Sequence, residues 1–361
     1  MSNEEKLSKL RTADELRAIR MSSQQLAEQA FDKPEELVAW MGALQAQDYA
    51  MCKWAVGVRL KQATLSTVEQ AINEGRILRT HVMRPTWHLV PAEDIRWMLK
   101  LSAQHIKSAF RSNEQMLGIT EPLFTQVNRL IAKMLEGNNH LTRQEIALGL
   151  IRDGLAADGP HMNHFLIRAE AEGIICSGAD KAGRPTYALL DERLPPGAAK
   201  DLSKDESLAK LAERYFRSHS PASLHDFAWW SGLSLTNARQ AIRLIEPLLT
   251  AERLGERELF VHQGCKEARD TNTLHLLPAY DEYLISYKDR SDVLPPEQQH
   301  EVFTRQGIFY PIVVYQGQVV ARWRKPQPRL EITHFAHPTP FPQALLPPAE
   351  ARYRAFINPL K

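Results

Sequence analysis

Apolar residues along this chain fall into short runs of two kinds, one spaced for helices and one for strands. Over residues 12–31 they recur at helical spacing. Thr12-Ala13-Asp14-Glu15 and Ser22-Ser23-Gln24-Gln25 each read as an N-cap, which predicts two short helices. Pro34 opens a third helix over 35–41, and Gly42 ends it. A helix over 67–74 stops at Gly75, and residues 76–90 predict two strands around a turn near Arg84-Pro85. Helices follow over 122–135, from the Leu141-Thr142-Arg143-Gln144-Glu145 cap to Arg152, and over 161–172, ended by Gly173. Strands over 174–177 and 186–190 then flank a Gly- and Lys-rich turn. Past the breaker Leu194-Pro195-Pro196-Gly197 come helices over 206–218, 223–230 and 235–245, then strands over 249–254 and 258–262. From 273 onwards Pro, Val, Tyr and Phe set the tone. Strands over 311–315 and 318–324 flank the hairpin signal Gln316-Gly317, and 330–335 is a further strand.

Helices followed by a β-hairpin, three times over, make the order of a winged helix. The prediction is a mainly α fold with β wings (α+β): three tandem winged-helix units and a small C-terminal β-rich domain. The segments are 1–120, 121–195, 200–265 and 270–361. The copies share a pattern and little identity, so the repeat is structural.

Within the first unit, Gly42-Ala43-Leu44-Gln45-Ala46-Gln47-Asp48-Tyr49-Ala50 stands out. Two glutamines lie two apart, just before an apolar and aromatic run over 51–60. Glutamine is neutral and both donates and accepts hydrogen bonds. At i and i+2 of an extended segment two such side chains project to one side. A pair so placed suits holding one small thing, such as a water, between two amides. The plainer reading is a polar loop.

Bulk numbers narrow the class. The chain has 361 residues, 43% hydrophobic and 24% charged, the balance of a soluble globular protein with one to three domains. No apolar run approaches the ~20 residues of a membrane span. Residues 1–20 carry no apolar h-region, so secretion is not expected. Cys52, Cys176 and Cys265 lie far apart, which argues against a zinc site or disulfide framework and fits a reducing cytosol. The net charge is +2, unevenly spread. Residues 288–361 hold ten Lys and Arg against six Asp and Glu, a net of +4, so the rest carries −2. DNA binding needs a basic stripe, not a basic average.

Several chemistries lack their motifs. There is no Gly-x-Ser-x-Gly, Walker loop or GxGxxG, and no cysteine sits in a protease context. His161 and His164 have i, i+3 spacing without further ligands, so a helix-surface pair is expected and no metal. Asp281-Glu282 lies in an aromatic, apolar stretch, where a carboxylate serves either chemistry or a cap or bridge to a neighbour. Arg76, Arg79, His81 and Arg84 alternate with apolar residues on the first hairpin, suiting phosphate contacts or a charge-protected edge. Arg322-Trp323-Arg324-Lys325 offers a stacking wedge with phosphate clamps, or a packed Trp between solvated cations.

Four stretches, taken together and in order, resemble the tandem winged-helix DNA glycosylases of the AlkZ (azinomycin-resistance) type. They are Leu44-Gln45-Ala46-Gln47-Asp48-Tyr49, residues 79–90, Asp226-Phe227-Ala228-Trp229-Trp230-Ser231-Gly232-Leu233, and residues 281–291. The resemblance runs over nearly the whole chain. It implies three winged helices plus a β-element wrapped into a C around DNA. The family signature is Gln-aliphatic-Gln, with another branch carrying Gln-aliphatic-Asp. Gln45-Ala46-Gln47 belongs with the double-glutamine branch, and Asp48 is not the Asp of the other. The family's Arg-Gly-Thr-Leu-His reads Arg84-Pro85-Thr86-Trp87-His88 here. Proline removes a backbone donor at that point.

The resemblance makes Gln45 and Gln47 the catalytic pair. It makes Arg79, His81, Arg84, Arg322, Trp323, Arg324 and Lys325 the DNA contacts, with Tyr49, Asp281 and Glu282 in supporting positions. The partner is double-stranded DNA with a damaged base. No cofactor, metal or membrane is involved, and a cytoplasmic, nucleoid-associated monomer is expected. The chemistry is coherent. N-glycosidic cleavage passes through an oxocarbenium-like state. Glutamine can neither deprotonate the water nor protonate the leaving base. A base already cationic, as an N7-alkylated purine is, needs no protonation, and placing a water under C1′ then suffices. The enzyme is thus expected to be monofunctional, with Lys53 the one nearby amine able to overturn this. The alternatives are a non-catalytic winged-helix DNA-binding regulator, and a protein that keeps the fold and binds something else.

Overall fold

The computed structural model describes residues 10, 12–195, 197, 202–266, 272–325 and 330–358. The expected breaker at 194–197 lies outside these residues at Pro196, as do residues 1–9 and 11 of the N-terminal stretch. Two compact units divide the chain: Met1–Val68 with Leu208–Lys361, and Glu69–Ser207. The four sequence segments divide it differently, because a segment is a stretch of chain and a unit is a body of contacts.

The first unit begins with the helix Ala13–Ser23, capped by Thr12 and Glu15 in a reciprocal capping box. A second helix does not follow Ser22-Ser23, which corrects the expectation for residues 12–31. Gln25 turns left-handed at φ 59, and Gln24 leaves the helical path to bond Arg59 and Tyr287. Tertiary partners thus override a local capping signal. The helix Pro34–Met41 ends at Gly42, whose φ is 80. A Cβ there would also meet Arg214 Cβ at 3.2 Å and Trp230 Cη2 at 3.4 Å, so glycine answers both conformation and space. The two-residue strand Leu44–Gln45 and the helix Tyr49–Gly57 come next.

The same unit contains the helices Leu224–Ser231 and Leu235–Leu244 and the hairpin of Leu249–Leu254 with Arg257–His262. Four antiparallel strands form its larger sheet, in the order Glu331–His334, Gln318–Arg324, Ile312–Tyr315 and Leu274–Leu277. Gln316 and Gly317 turn the central hairpin at φ 49 and 75, as a two-residue primed turn requires. A helix, Leu346–Ile357, closes the C-terminal segment, so that segment is not all β. Its Tyr353 and Phe356 rings pack 5.1 Å from Trp54, whose Nε1 donates to the Leu276 carbonyl at 2.7 Å. That contact joins the sheet to the helix following the glutamines.

The second unit holds the hairpin Ile77–His81 and Trp87–Pro91 and the long helix Ile95–Met116. The helices Glu121–Leu135, Arg143–Arg152 and Gly159–Ala171 follow. A small antiparallel sheet runs in the order Leu141–Thr142, Thr186–Leu189, Ile175–Ser177. Phe124, Val127, Ile131, Ile146, Phe165 and Ile175 meet in one core beneath it. His161 belongs to the Asp158 cap of its helix, and His164 is buried against Phe110. No helix among the described residues is long and apolar enough to cross a membrane.

His275, on the buried edge strand Leu274–Leu277, is 6% exposed and its Nε2 meets Thr273 Oγ1 at 3.0 Å. Burial, with the charges of Arg352 and Arg59, pushes its pKa from 6.5 down to about 3. The native state thus holds it neutral while the unfolded chain protonates it. Its share of stability is complete above pH 6.5 and drains away as pH falls toward about 3. Each pH unit in that window costs about 1.4 kcal/mol. Urea titrations between about pH 6 and pH 4 are expected to show a shallower acid loss in His275→Gln by one proton. An unchanged slope would show that His275 does not titrate this way.

Candidate functional site: the glutamine segment and its buried carboxylates

Leu44 and Gln45 are extended, and the chain bends at Gln47 before Asp48 caps the next helix. Asp48 Oδ1 accepts from the N–H groups of Ala50 and Met51 at 3.0 and 2.9 Å. The segment is therefore not one continuous strand through both glutamines. Gln45 is 4% exposed, whereas Gln47 is exposed and makes no hydrogen bond to the described residues. Gln45 Oε1 accepts from the Ala46 N–H at 3.0 Å. Only the carbonyl end of an amide can accept there, so this bond sets which way the side chain faces. One Oε1 lone pair is left over, and Gln47 keeps its whole hydrogen-bonding capacity.

Beneath the segment lie Asp281 and Glu282, 3% and 1% exposed. Asp281 Oδ1 caps the short helix Glu282–Ile285 by accepting from the Tyr283 N–H. Both its oxygens also meet Arg59 in a bidentate pair at 2.7 and 2.9 Å. Arg59 is fully buried and donates further to the Ala55 carbonyl and to Gln24 Oε1, each at 3.0 Å. Gln24 then bonds the Tyr287 hydroxyl at 3.1 Å, and Tyr287 donates to the His219 carbonyl at 2.9 Å.

Glu282 faces the other way. One carboxylate oxygen accepts the Gln45 backbone N–H; the other accepts from Trp230 Nε1 at 3.2 Å and from Ser286 Oγ. His219 Nε2 lies 3.7 Å from that second oxygen. Burial pushes the His219 imidazole down, so it stands beside the carboxylate as a neutral ring. The stretch 226–233 contributes more than Trp230. Asp226 Oδ1 accepts from the backbone of Lys288 and Asp289, and Trp229 Nε1 donates to the Ile285 carbonyl. Two of the stretches flagged in the sequence therefore serve to hold a third. Arg59, Gln24, Ser286 and His219 were not singled out. An arginine closing the apolar run 51–60 was the one available signal.

Around the exposed end, Lys53 is 5% exposed and its ammonium sits 4.3 Å from the Tyr49 ring. Tyr280, which precedes the carboxylates, adopts φ 57, uncommon for a tyrosine. Partial burial and the nearby Asp48 charge raise its phenol pKa.

The seven DNA-contact candidates divide. On the second unit's hairpin, Arg79 lies over the Trp87 ring at 4.2 Å and Arg84 sits half-buried at the turn. His81 is 3% exposed, its Nδ1 paired with the buried carboxylate of Glu170. As placed, that Nδ1 pair braces the hairpin against its own unit. In the first unit, Arg322 is half-buried over Tyr310, while Arg324 and Lys325 are exposed. Arg324 pairs across the strand with Glu331 at 2.7 Å. Trp323 is 2% exposed, its Nε1 bonded to the Leu277 carbonyl at 2.7 Å and its ring 4.9 Å from Tyr353. Of the two readings of that tryptophan, the packed one is seen; the stacking wedge is not. Among the described residues no three His, Cys, Asp or Glu side chains gather as a metal site.

Removing one partner of a buried ion pair strands the other charge, at a cost of about 3–5 kcal/mol. Asp281→Asn is expected to lose that much in urea unfolding. A loss below about 1 kcal/mol would show that the Arg59 pair does not hold this region.

The family model for AlkZ-like DNA glycosylases matches residues 38–351. The interstrand DNA cross-link repair glycosylase of Streptomyces sahachiroi is 22% identical over 331 residues, covering 88% of this chain and 89% of that protein. The solved structure of Streptomyces sahachiroi DNA glycosylase AlkZ superposes with a TM-score of 0.80 at 21% identity, over 95% of this chain and 96% of that one, a likeness of fold. With most of its length inside the family match, the chain belongs to the AlkZ-like DNA glycosylases, hydrolases acting on N-glycosyl bonds.

Proposed function

We propose that this glycosylase removes cationic, N7-alkylated purines from duplex DNA with a water held by Gln45 and Gln47. The observation that carries the reading is the pairing of one buried, oriented amide with one exposed, uncommitted amide two residues on. A water donating to both carbonyls turns a lone pair toward the incoming sugar. Neither amide titrates, so the leaving base must depart without protonation. An N7-alkyl group supplies that condition in advance by making the base a cation. The carboxylate nearest in sequence, Asp48, has one oxygen committed to two backbone N–H groups. Lys53 is buried against Tyr49, which supports a monofunctional hydrolysis over Schiff-base chemistry.

The relative from Streptomyces sahachiroi is named for interstrand cross-link repair. Crosslinks through purine N7 are the same leaving-group class, and this chain unhooks them on the same principle. The helix-and-hairpin order over 121–189 and 204–262 supports reading those stretches as winged helices. Arg79, Arg84, Arg322, Arg324 and Lys325 are the cations this reading assigns to the DNA backbone.

A gel assay on a duplex with one N7-methylguanine tests the proposal. Abasic sites are expected with the wild-type chain. In the Gln45→Ala, Gln47→Ala double variant their formation falls by about a hundredfold or more. Unchanged release in that variant would sink the water-holding pair. Salt-dependent binding without release, in the wild type itself, would favour a non-catalytic DNA-binding protein.

A further inference from the structure

We infer that Glu282 is a positioning residue for catalysis: its carboxylate sets the Gln45 peptide and, through it, the direction of the Gln45 amide. This rests on the reading of Gln45 as a water-holding residue. Glu282 lies 237 residues from Gln45 in sequence, yet accepts its backbone N–H directly. The strand there is only two residues long, Leu44–Gln45. The N–H preceding the Gln45 Cα is held by Glu282, and the N–H following it, on Ala46, is held by Gln45 Oε1. With both flanking N–H groups engaged, the Cα–Cβ direction is fixed. The side chain closes a small ring onto its own backbone, leaving one carbonyl lone pair uncommitted.

The chemistry of the clamp requires a carboxylate. Three donors reach its oxygens: Gln45 N–H on one, Trp230 Nε1–H and Ser286 O–H on the other. A glutamine at 282 keeps shape and volume but turns an NH2 toward one of these donors. Facing Trp230 the NH2 meets an N–H that cannot accept; facing Gln45 it loses the clamp. An aspartate is a methylene short of reaching both sides. His219, stacked on Tyr215 at 4.8 Å, closes the remaining side with a neutral ring.

A structural role and a positioning role separate by epistasis. Single-turnover kinetics on an N7-methylguanine duplex, with duplex affinity measured alongside, are compared for wild type, Glu282→Gln, Gln45→Ala and the double variant. Glu282→Gln is expected to lower the maximal rate roughly 10- to 100-fold, with affinity changed less than about twofold, since a displacement near 1 Å costs about that much. In the Gln45→Ala background the same substitution is expected to add less than about a twofold loss, because the group it positions is gone. A folded Glu282→Gln with the wild-type rate, beside an inactive Gln45→Ala, overturns the clamp while leaving Gln45 in place. Equal losses in both backgrounds overturn it in favour of a purely structural role. A fully active Gln45→Ala removes the water-holding reading itself, and the clamp with it. Should Glu282→Gln not fold, Trp230→Phe and Ser286→Ala carry the same test. Each withdraws a donor from the second oxygen, and a rate loss that persists without Gln45 overturns the inference.

Discussion

Two adjacent carboxylates, Asp281 and Glu282, are buried where a charge is expensive, and the region around the glutamines depends on how they are satisfied. Burying an ionised carboxylate is tolerable only with a counter-ion or several donors. Asp281 takes the first route through the bidentate Arg59 pair; Glu282 takes the second through Gln45, Trp230 and Ser286. The two arrangements reinforce each other. Arg59 lies just past the helix that follows the glutamines, and Glu282 grips the strand that carries Gln45. One short helix, Glu282–Ile285, therefore holds the chain before and after residue 47. Trp230 and Gly42 pack at the same place, so the glycine that ends the preceding helix belongs to the same construction.

This arrangement gives an amide order without making it titrate. The carboxylates beneath the segment lie below the surface and are spent on backbone and side-chain donors. On the proposed reading, a neutral amide so ordered positions a water and transfers no proton, so the burden of leaving-group activation passes to the substrate. Placement, which structure can supply, remains the protein's part.

Local signals in the chain were legible where the physics is local. The caps at Thr12 and Thr142 and the Gln316-Gly317 turn form as expected, because their partners lie within three residues. The helix predicted from Ser22-Ser23 fails because Gln24 answers to Arg59 and Tyr287. The helix Ile95–Met116 has no side-chain cap to announce it, and Leu346–Ile357 begins with two prolines that read as a breaker. The glutamine pair was singled out by spacing and resemblance, and Asp281 and Glu282 by their place in an apolar stretch. The partners of those carboxylates were not, since Arg59 and Asp281 are 222 residues apart. Trp323 was open to two readings in the sequence. Strand side chains alternate, and opposite the exposed Arg324 and half-buried Arg322 the tryptophan packs inward.

The account stands or falls on the leaving group. Two duplexes identical except for one base, N7-methylguanine in one and hypoxanthine in the other, give the most direct measurement, by single-turnover base release. The first base is a cation; the second departs well only if the enzyme protonates it, a contribution typically of 10²–10⁴-fold. If, as proposed, neither glutamine hands the leaving base a proton, release of N7-methylguanine should exceed that of hypoxanthine by on the order of 10³-fold. Comparable rates on the two duplexes would mean that the protein supplies a proton, and would contradict the neutral glutamine pair as the working centre.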